Sequence, residues 1–199
     1  MMSRILLGVL SAAMIASSGA IAAPDRAKSQ NSQNLRQLDA SVSSGPIARF
    51  FGYGTTRVVV PYSGPQRPGT IIVNTSERHL YLILEGGQAL RYGIGVGRAG
   101  FAWAGTTAVS AKREWPDWTP PSEMVARQPY LPRHMAGGVE NPLGARALYL
   151  GSSMYRIHGS NEPETIGQAV SSGCIRMLNE EVIDLYNRVP VGAKVIVMR

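Results

Sequence analysis

Glycine and proline punctuate this chain more heavily than anything else in it: 22 glycines and 13 prolines divide 199 residues into short runs. Proline fixes φ and removes a backbone donor, and glycine weakens the interior of helices and strands alike. Runs of this kind suit short strands joined by turns rather than a helical bundle. The length allows one domain of ordinary size plus a further segment. Hydrophobic residues at 44% and charged residues at 17% are enough to fill a core and exclude wholesale disorder. A single cysteine excludes a disulfide scaffold within the chain and, with only three histidines, a zinc ribbon.

The first residues read as an address. Arg4 precedes an apolar run from Ile5 to Ile15, and Ala20-Ile21-Ala22 supplies small residues at a cleavage-site spacing. The run is short for a membrane span, and no cysteine follows it for lipid attachment. Residues 1–22 are therefore expected to be a signal peptide and the mature product to be exported, with no span left after cleavage. Residues 23–67, polar at first and then rich in proline and glycine, are expected to form a flexible or partly ordered linker. Residues 68–199 are the expected folded domain. In an oxidising compartment cysteines usually pair, so the lone Cys174 is either a buried small apolar residue or a thiol kept for its reactivity.

Within the domain the patterning predicts strands at Thr70–Asn74, His79–Leu84, Ala89–Val96, Thr106–Lys112, Ala145–Leu150, Met154–His158 and Lys194–Met198. Glu85-Gly86-Gly87-Gln88 is a hairpin signal between the second and third of these. Trp115 to Arg133 carries five prolines and reads as a long loop, of the kind that forms lids and binding walls. Asn179 is placed to cap a short helix over Glu180–Asn187, with two acids in its first turn and Val182, Leu185 and Tyr186 on one face. The expected fold class is mainly β with a few short helices, one of them after Cys174.

Chemistry concentrates in His158-Gly159-Ser160-Asn161 and Ser171-Ser172-Gly173-Cys174-Ile175-Arg176. His158 ends a predicted strand, and Cys174 lies in a small-residue turn. Small neighbours let a carbonyl approach the backbone, and they leave the amides of Gly173 and Cys174 available to a developing oxyanion. A thiol is mostly protonated at neutral pH and needs a base, for which histidine is suited. Arg176 could grip a carboxylate with two donors. The residues alone thus suggest a Cys/His acyl-transfer site with an anion-binding arm. They leave open a strand-end histidine and a buried thiol with no reaction between them.

The run His158-Gly159, then Ser172-Gly173-Cys174-Ile175-Arg176-Met177, resembles the signature of the L,D-transpeptidase (YkuD-type) catalytic domain. Gly137-Gly138 and Asn141-Pro142-Leu143-Gly144 resemble that family's cleft segment, and Ile71–Val73, Leu80–Leu84 and Gly93–Gly97 its opening strands. The likeness spans Thr70 to Arg199. It departs from the commonest form at Ser172, where many members carry histidine. The resemblance implies a β-sandwich or barrel, with Cys174 as nucleophile and His158 as general base and acid. It also implies that the Gly159 carbonyl orients the imidazole. Gly173 and Cys174 would form an oxyanion hole, and Ser172, Arg176, Gly138 and Asn141 would contact substrate, with no metal and no cofactor.

The implied reaction cuts the bond after the L-centre of meso-diaminopimelate in a peptidoglycan tetrapeptide stem and releases D-Ala. The acyl group then passes to an amine, giving a 3→3 cross-link or anchoring the N-terminus of an outer-membrane protein. The implied place is the periplasm, and carbapenem-type β-lactams are implied inhibitors. The alternatives are an L,D-carboxypeptidase, with water as acceptor, and a non-catalytic wall-binding protein. The formal charge of +7 does not indicate nucleic acid, because the arginines are scattered and the chain is expected outside the cytoplasm. His79 and His134 are expected to be surface or packing residues, and Trp103, Trp115 and Trp118 carry no assigned role.

Overall fold

The computed structural model describes residues 56–199. The expected signal peptide and the linker as far as residue 55 lie outside the described residues. The order is β1 (Val58–Pro61), β2 (Ile71–Asn74), β3 (His79–Leu84), β4 (Gln88–Gly93), β5 (Val96–Gly97), β6 (Gly105–Glu114) and α1 (Ser122–Arg127). There follow β7 (Arg146–Leu150), β8 (Arg156–His158), a 3-10 turn (Pro163–Thr165), β9 (Ala169–Ser171), β10 (Ile175–Arg176), α2 (Asn179–Arg188) and β11 (Lys194–Met198). Nine strands join in the order β1-β4-β3-β2-β11-β6-β7-β8-β10, and β5 pairs with β9 in a second, two-stranded sheet. The fold is mostly sheet with few helices, as the patterning predicts, and the sheet curls into a half-barrel, in line with the barrel-like fold that the resemblance implies.

Alternation of apolar and polar positions sets the register of the first half. Leu90, Leu82, Ile71 and Val195 face one another across β4, β3, β2 and β11, and Tyr92, Leu80, Val73 and Val197 form the neighbouring row. All eight are buried, which locks the register, since a slip of one residue would turn each row to the opposite face. The hairpin between β3 and β4 turns on Gly86 and Gly87, with φ of +72° and +69°, a backbone region that side chains with a Cβ seldom adopt.

β6 makes the two halves continuous. Its first residues pair with β11 and its later ones with β7, with a bulge between Val109 and Ala111. Such a bulge bends and twists a strand, and here it turns the sheet over α2. That helix packs against β7 and β8 through Val182 and Leu185, both fully buried.

Three local expectations differ from the structure. The sheet begins at Val58, ten residues before the expected domain start, because the β-branched run Val58–Val60 pairs with β4 and Pro61 sits at the strand's end on the edge. The loop from Trp115 to Arg133 contains α1, which fits in the proline-free interval between Pro121 and Pro129. Asn179 does not cap α2. The cap position falls on Leu178, with no side-chain capping bond, and the Asn179 amide reaches elsewhere.

The long loop is pinned at its base. Trp118 and Met135 exchange backbone hydrogen bonds of 2.8 Å in each direction. Asp117 accepts the Gly137 amide at 2.9 Å, and His134 lies 3.5 Å from Asp117 at the surface.

Candidate active site

β8 carries His158 and β10 lies parallel beside it, with Arg176 opposite His158 and Ile175 opposite Ile157. Ile157 and Ile175 point into the core and are buried. Side chains alternate along strands, so Cys174, His158, Arg156 and Arg176 share the other face. Cys174, one residue before β10, thus enters the site from the same side as His158. Both line one cavity of about 370 Å³.

His158 is 3% exposed, and its Nδ1 lies 2.6 Å from the Gly159 carbonyl oxygen. A carbonyl only accepts, so Nδ1 carries the proton and the neutral ring keeps its lone pair on Nε2. Burial, followed by the nearby Arg176 guanidinium, lowers the imidazole to about 3, against an ordinary 6.5. At neutral pH the ring is uncharged and able to take a proton. Burial raises the Cys174 thiol above its ordinary value, opposed by the Arg156 backbone and the charges of Arg156 and Arg176. The resting pair is thus thiol and neutral imidazole, so proton transfer belongs to the reaction step itself.

The unfolded ring takes up a proton below about 6.5 and the folded ring does not until about 3, so stability is lost progressively as pH falls through that window. The urea midpoint is expected to drop between those values, and His158→Gln should flatten the drop. An NMR titration placing the His158 ring near 6.5 would contradict this reading.

The turn bearing the thiol is held from several sides. Ser171 Oγ donates to the Cys174 carbonyl at 2.6 Å and accepts the Gly173 amide at 3.1 Å. Trp103 Nε1 donates to the Gly173 carbonyl at 3.0 Å and its ring stacks on Tyr155, with centroids 4.8 Å apart. Gly173 has φ +107°, and a Cβ there would meet Tyr155 Cε1 at 2.5 Å. Of the two expected oxyanion donors, the Gly173 amide is occupied by Ser171. The Cys174 amide has no partner among the described residues.

The other expected contacts divide. Ser172 and Arg176 line the cavity, while Gly138 and Asn141 lie outside its wall. Asn141 is buried and its amide serves the backbone, donating to the Met135 and Ala136 carbonyls and accepting the Leu143 amide at 2.9 Å. It shapes the loop that carries the wall residues Pro142 and Leu143. Arg176 Nη1 donates to Glu162 Oε2 at 3.0 Å and to Thr165 Oγ1 at 3.1 Å, so its guanidinium already has a carboxylate.

Several residues at the site escaped the sequence reading. Trp118 lines the cavity, as do Met124, Met154, Tyr155 and Arg156. Asn179 Oδ1 accepts the amides of Ala145 (2.8 Å) and Ser160 (3.2 Å), and its Nδ2 donates to the Ser160 carbonyl (2.8 Å). That amide joins the segments on both sides of the imidazole. A Cβ on Gly144 or Gly159 would come within 2.2 or 2.1 Å of Asn179 Oδ1, so both glycines make room for it. The available signal was the pair of glycines, each beside a site segment.

Comparison with known proteins agrees with this arrangement. Residues 68–197 match the L,D-transpeptidase catalytic domain (YkuD). The Escherichia coli K12 protein named "Probable L,D-transpeptidase YbiS" is 38% identical over 135 residues, which are 63% of this chain and 43% of that protein. The chain thus spans less than half of that relative's length. L,D-transpeptidase 3 from Mycobacterium tuberculosis shares the fold, with a TM-score of 0.54 at 17% identity, over 65% of this chain and 60% of that one. A Brucella melitensis structure bearing the name "Probable carnitine operon oxidoreductase caia" is 41% identical over 80% of this chain and 99% of its own, with a TM-score of 0.50; the redox term belongs to that protein's name. On the extent of the domain match, this chain belongs to the L,D-transpeptidase catalytic-domain family.

Proposed function

We propose that the protein is an exported, cysteine-dependent peptidoglycan L,D-transpeptidase acting in the periplasm. One observation carries the reading: a neutral, carbonyl-oriented imidazole at the end of β8 and the only cysteine, in the turn that enters the parallel β10, line one cavity. His158 Nε2 takes the Cys174 proton as sulfur attacks the carbonyl at the L-centre of diaminopimelate in a tetrapeptide stem. The carbon–sulfur bond forms, and the oxyanion develops beside the free Cys174 amide. Collapse breaks the carbon–nitrogen bond, His158 returns the proton to the departing D-Ala amine, and a thioester remains. An acceptor amine then gives its proton to His158 and displaces the sulfur, which regains that proton. The Gly159 carbonyl stabilises the imidazolium formed in each half-reaction.

Related proteins support an acylable site: L,D-transpeptidase 3 from Mycobacterium tuberculosis holds a faropenem-derived adduct, and another L,D-transpeptidase structure contains imipenem. The same chemistry here would place a carbapenem on Cys174.

Incubation with muropeptides carrying tetrapeptide stems tests the reading by mass spectrometry. Loss of D-Ala with formation of cross-linked dimers is the expected result. Loss of D-Ala alone would make the enzyme an L,D-carboxypeptidase. No change with any acceptor, including the N-terminal peptide of an outer-membrane protein, would leave a wall-binding role.

A further inference from the structure

The cavity holds two arginines, and they are not equivalent. Arg176 is committed to Glu162 and Thr165. Arg156 makes no ion pair and no side-chain hydrogen bond among the described residues, and its buried Nε has no partner. Its guanidinium lies 5.1 Å from the centroid of the Tyr149 ring, the residue opposite it on β7. A cation–π contact of this kind holds the guanidinium without using its donors. Two carboxylates, Glu140 and Glu162, line the same cavity; Glu162 holds Arg176, and neither pairs with Arg156. A guanidinium Nε buried without an acceptor is costly unless something arrives to accept from it.

Position says where that acceptor would lie. Arg156 is two residues before His158 on β8, hence on the same face, and the β8–β10 register sets it beside Cys174. An anion on Arg156 would sit next to the sulfur rather than at a remote subsite. We propose that Arg156 is the carboxylate anchor for the acyl donor, gripping a carboxylate of the stem peptide next to the bond that is cut, while Arg176 remains bonded to Glu162. This rests on the reading of Cys174 as the acylated residue. Both the D-Ala carboxylate and the side-chain carboxylate of diaminopimelate supply the chemistry, and the test separates them.

The experiment measures binding of synthetic tetrapeptide to Cys174→Ala, alone and combined with Arg156→Gln or Arg156→Lys. Three peptides are used: native, C-terminally amidated at D-Ala, and amidated on the diaminopimelate side chain. Arg156→Gln should weaken the native peptide about ten-fold or more, with Arg156→Lys between, since lysine keeps charge but lacks the fork. The amidated peptide that already binds Cys174→Ala weakly, and is indifferent to Arg156→Gln, identifies the carboxylate. Equal binding of the native peptide by all three proteins overturns the proposal, as does an equal loss for all three peptides. If the wild-type protein releases no D-Ala while the binding difference persists, the transpeptidase reading fails and the anchor stands.

Discussion

Cys174→Ala is expected to lose at least about 10⁴-fold in turnover and every covalent adduct with a carbapenem, read by intact mass. The fold should survive. The side chain lies in the cavity wall rather than the core, and its contacts are weak ones, a 3.9 Å approach to the Met154 carbonyl and the Arg156 backbone amide, so the thermal midpoint should hardly move. His158→Ala should lose a comparable factor at neutral pH, because the groups that act on the raised thiol among the described residues are otherwise arginines, which take no proton. It should regain iodoacetamide reactivity as pH climbs and the thiol ionises unaided. Wild-type protein, with the proton accepted by an uncharged ring, should keep kcat/KM free of any imidazole step near 6.5. Product formation by Cys174→Ala would remove the nucleophile from the scheme.

The second large effect is expected at a residue outside the cavity wall. Asn179 joins Ala145 and Ser160 through three hydrogen bonds, and these residues flank the segments whose backbones meet the imidazole, at Gly159 and Leu143. Asn179→Ala removes all three bonds, a loss of about 3 kcal/mol at roughly 1 kcal/mol each. Asn179→Asp keeps both acceptor bonds and loses the donor, so it should fall between the two in urea unfolding. Turnover should drop about 10²-fold in the alanine variant with KM little changed, because a displaced imidazole harms the chemical step more than binding. A decrease in kcat that only tracks the unfolded fraction would reduce Asn179 to a structural role.

Much of this molecule was legible because it is built from local signals. Alternation in Ile71–Val73, Leu80–Leu84 and Val195–Val197 gave strands with correct faces, and Gly86-Gly87 gave the hairpin. The juxtaposition of His158 and Cys174 came from motif resemblance, since their separation in the chain says nothing about adjacent strands. What stayed hidden depends on partners distant in sequence. Asn179 looks like a helix cap until Ala145 and Ser160 are placed against its amide. Arg176 looks like a free carboxylate binder until Glu162 is seen to hold it, and Arg156 looks like any strand arginine until its lack of an acid partner becomes visible. Gly173 and Ser171 show the same dependence on three-dimensional neighbours: a small-residue turn suggests free amides, but in the fold a serine hydroxyl occupies one of them.

The position of β11 between β2 and β6 also dictates when the molecule can assemble. As the polypeptide leaves the ribosome, β1–β4 can form a meander and β6–β8 a second one, yet the two have no seam until residues 194–198 emerge. Closing that seam joins β11 to partners 124 positions away on β2 and 86 to 92 positions away on β6, a slow, high-contact-order event. Translation can therefore run nearly to residue 194 before a finished sheet exists.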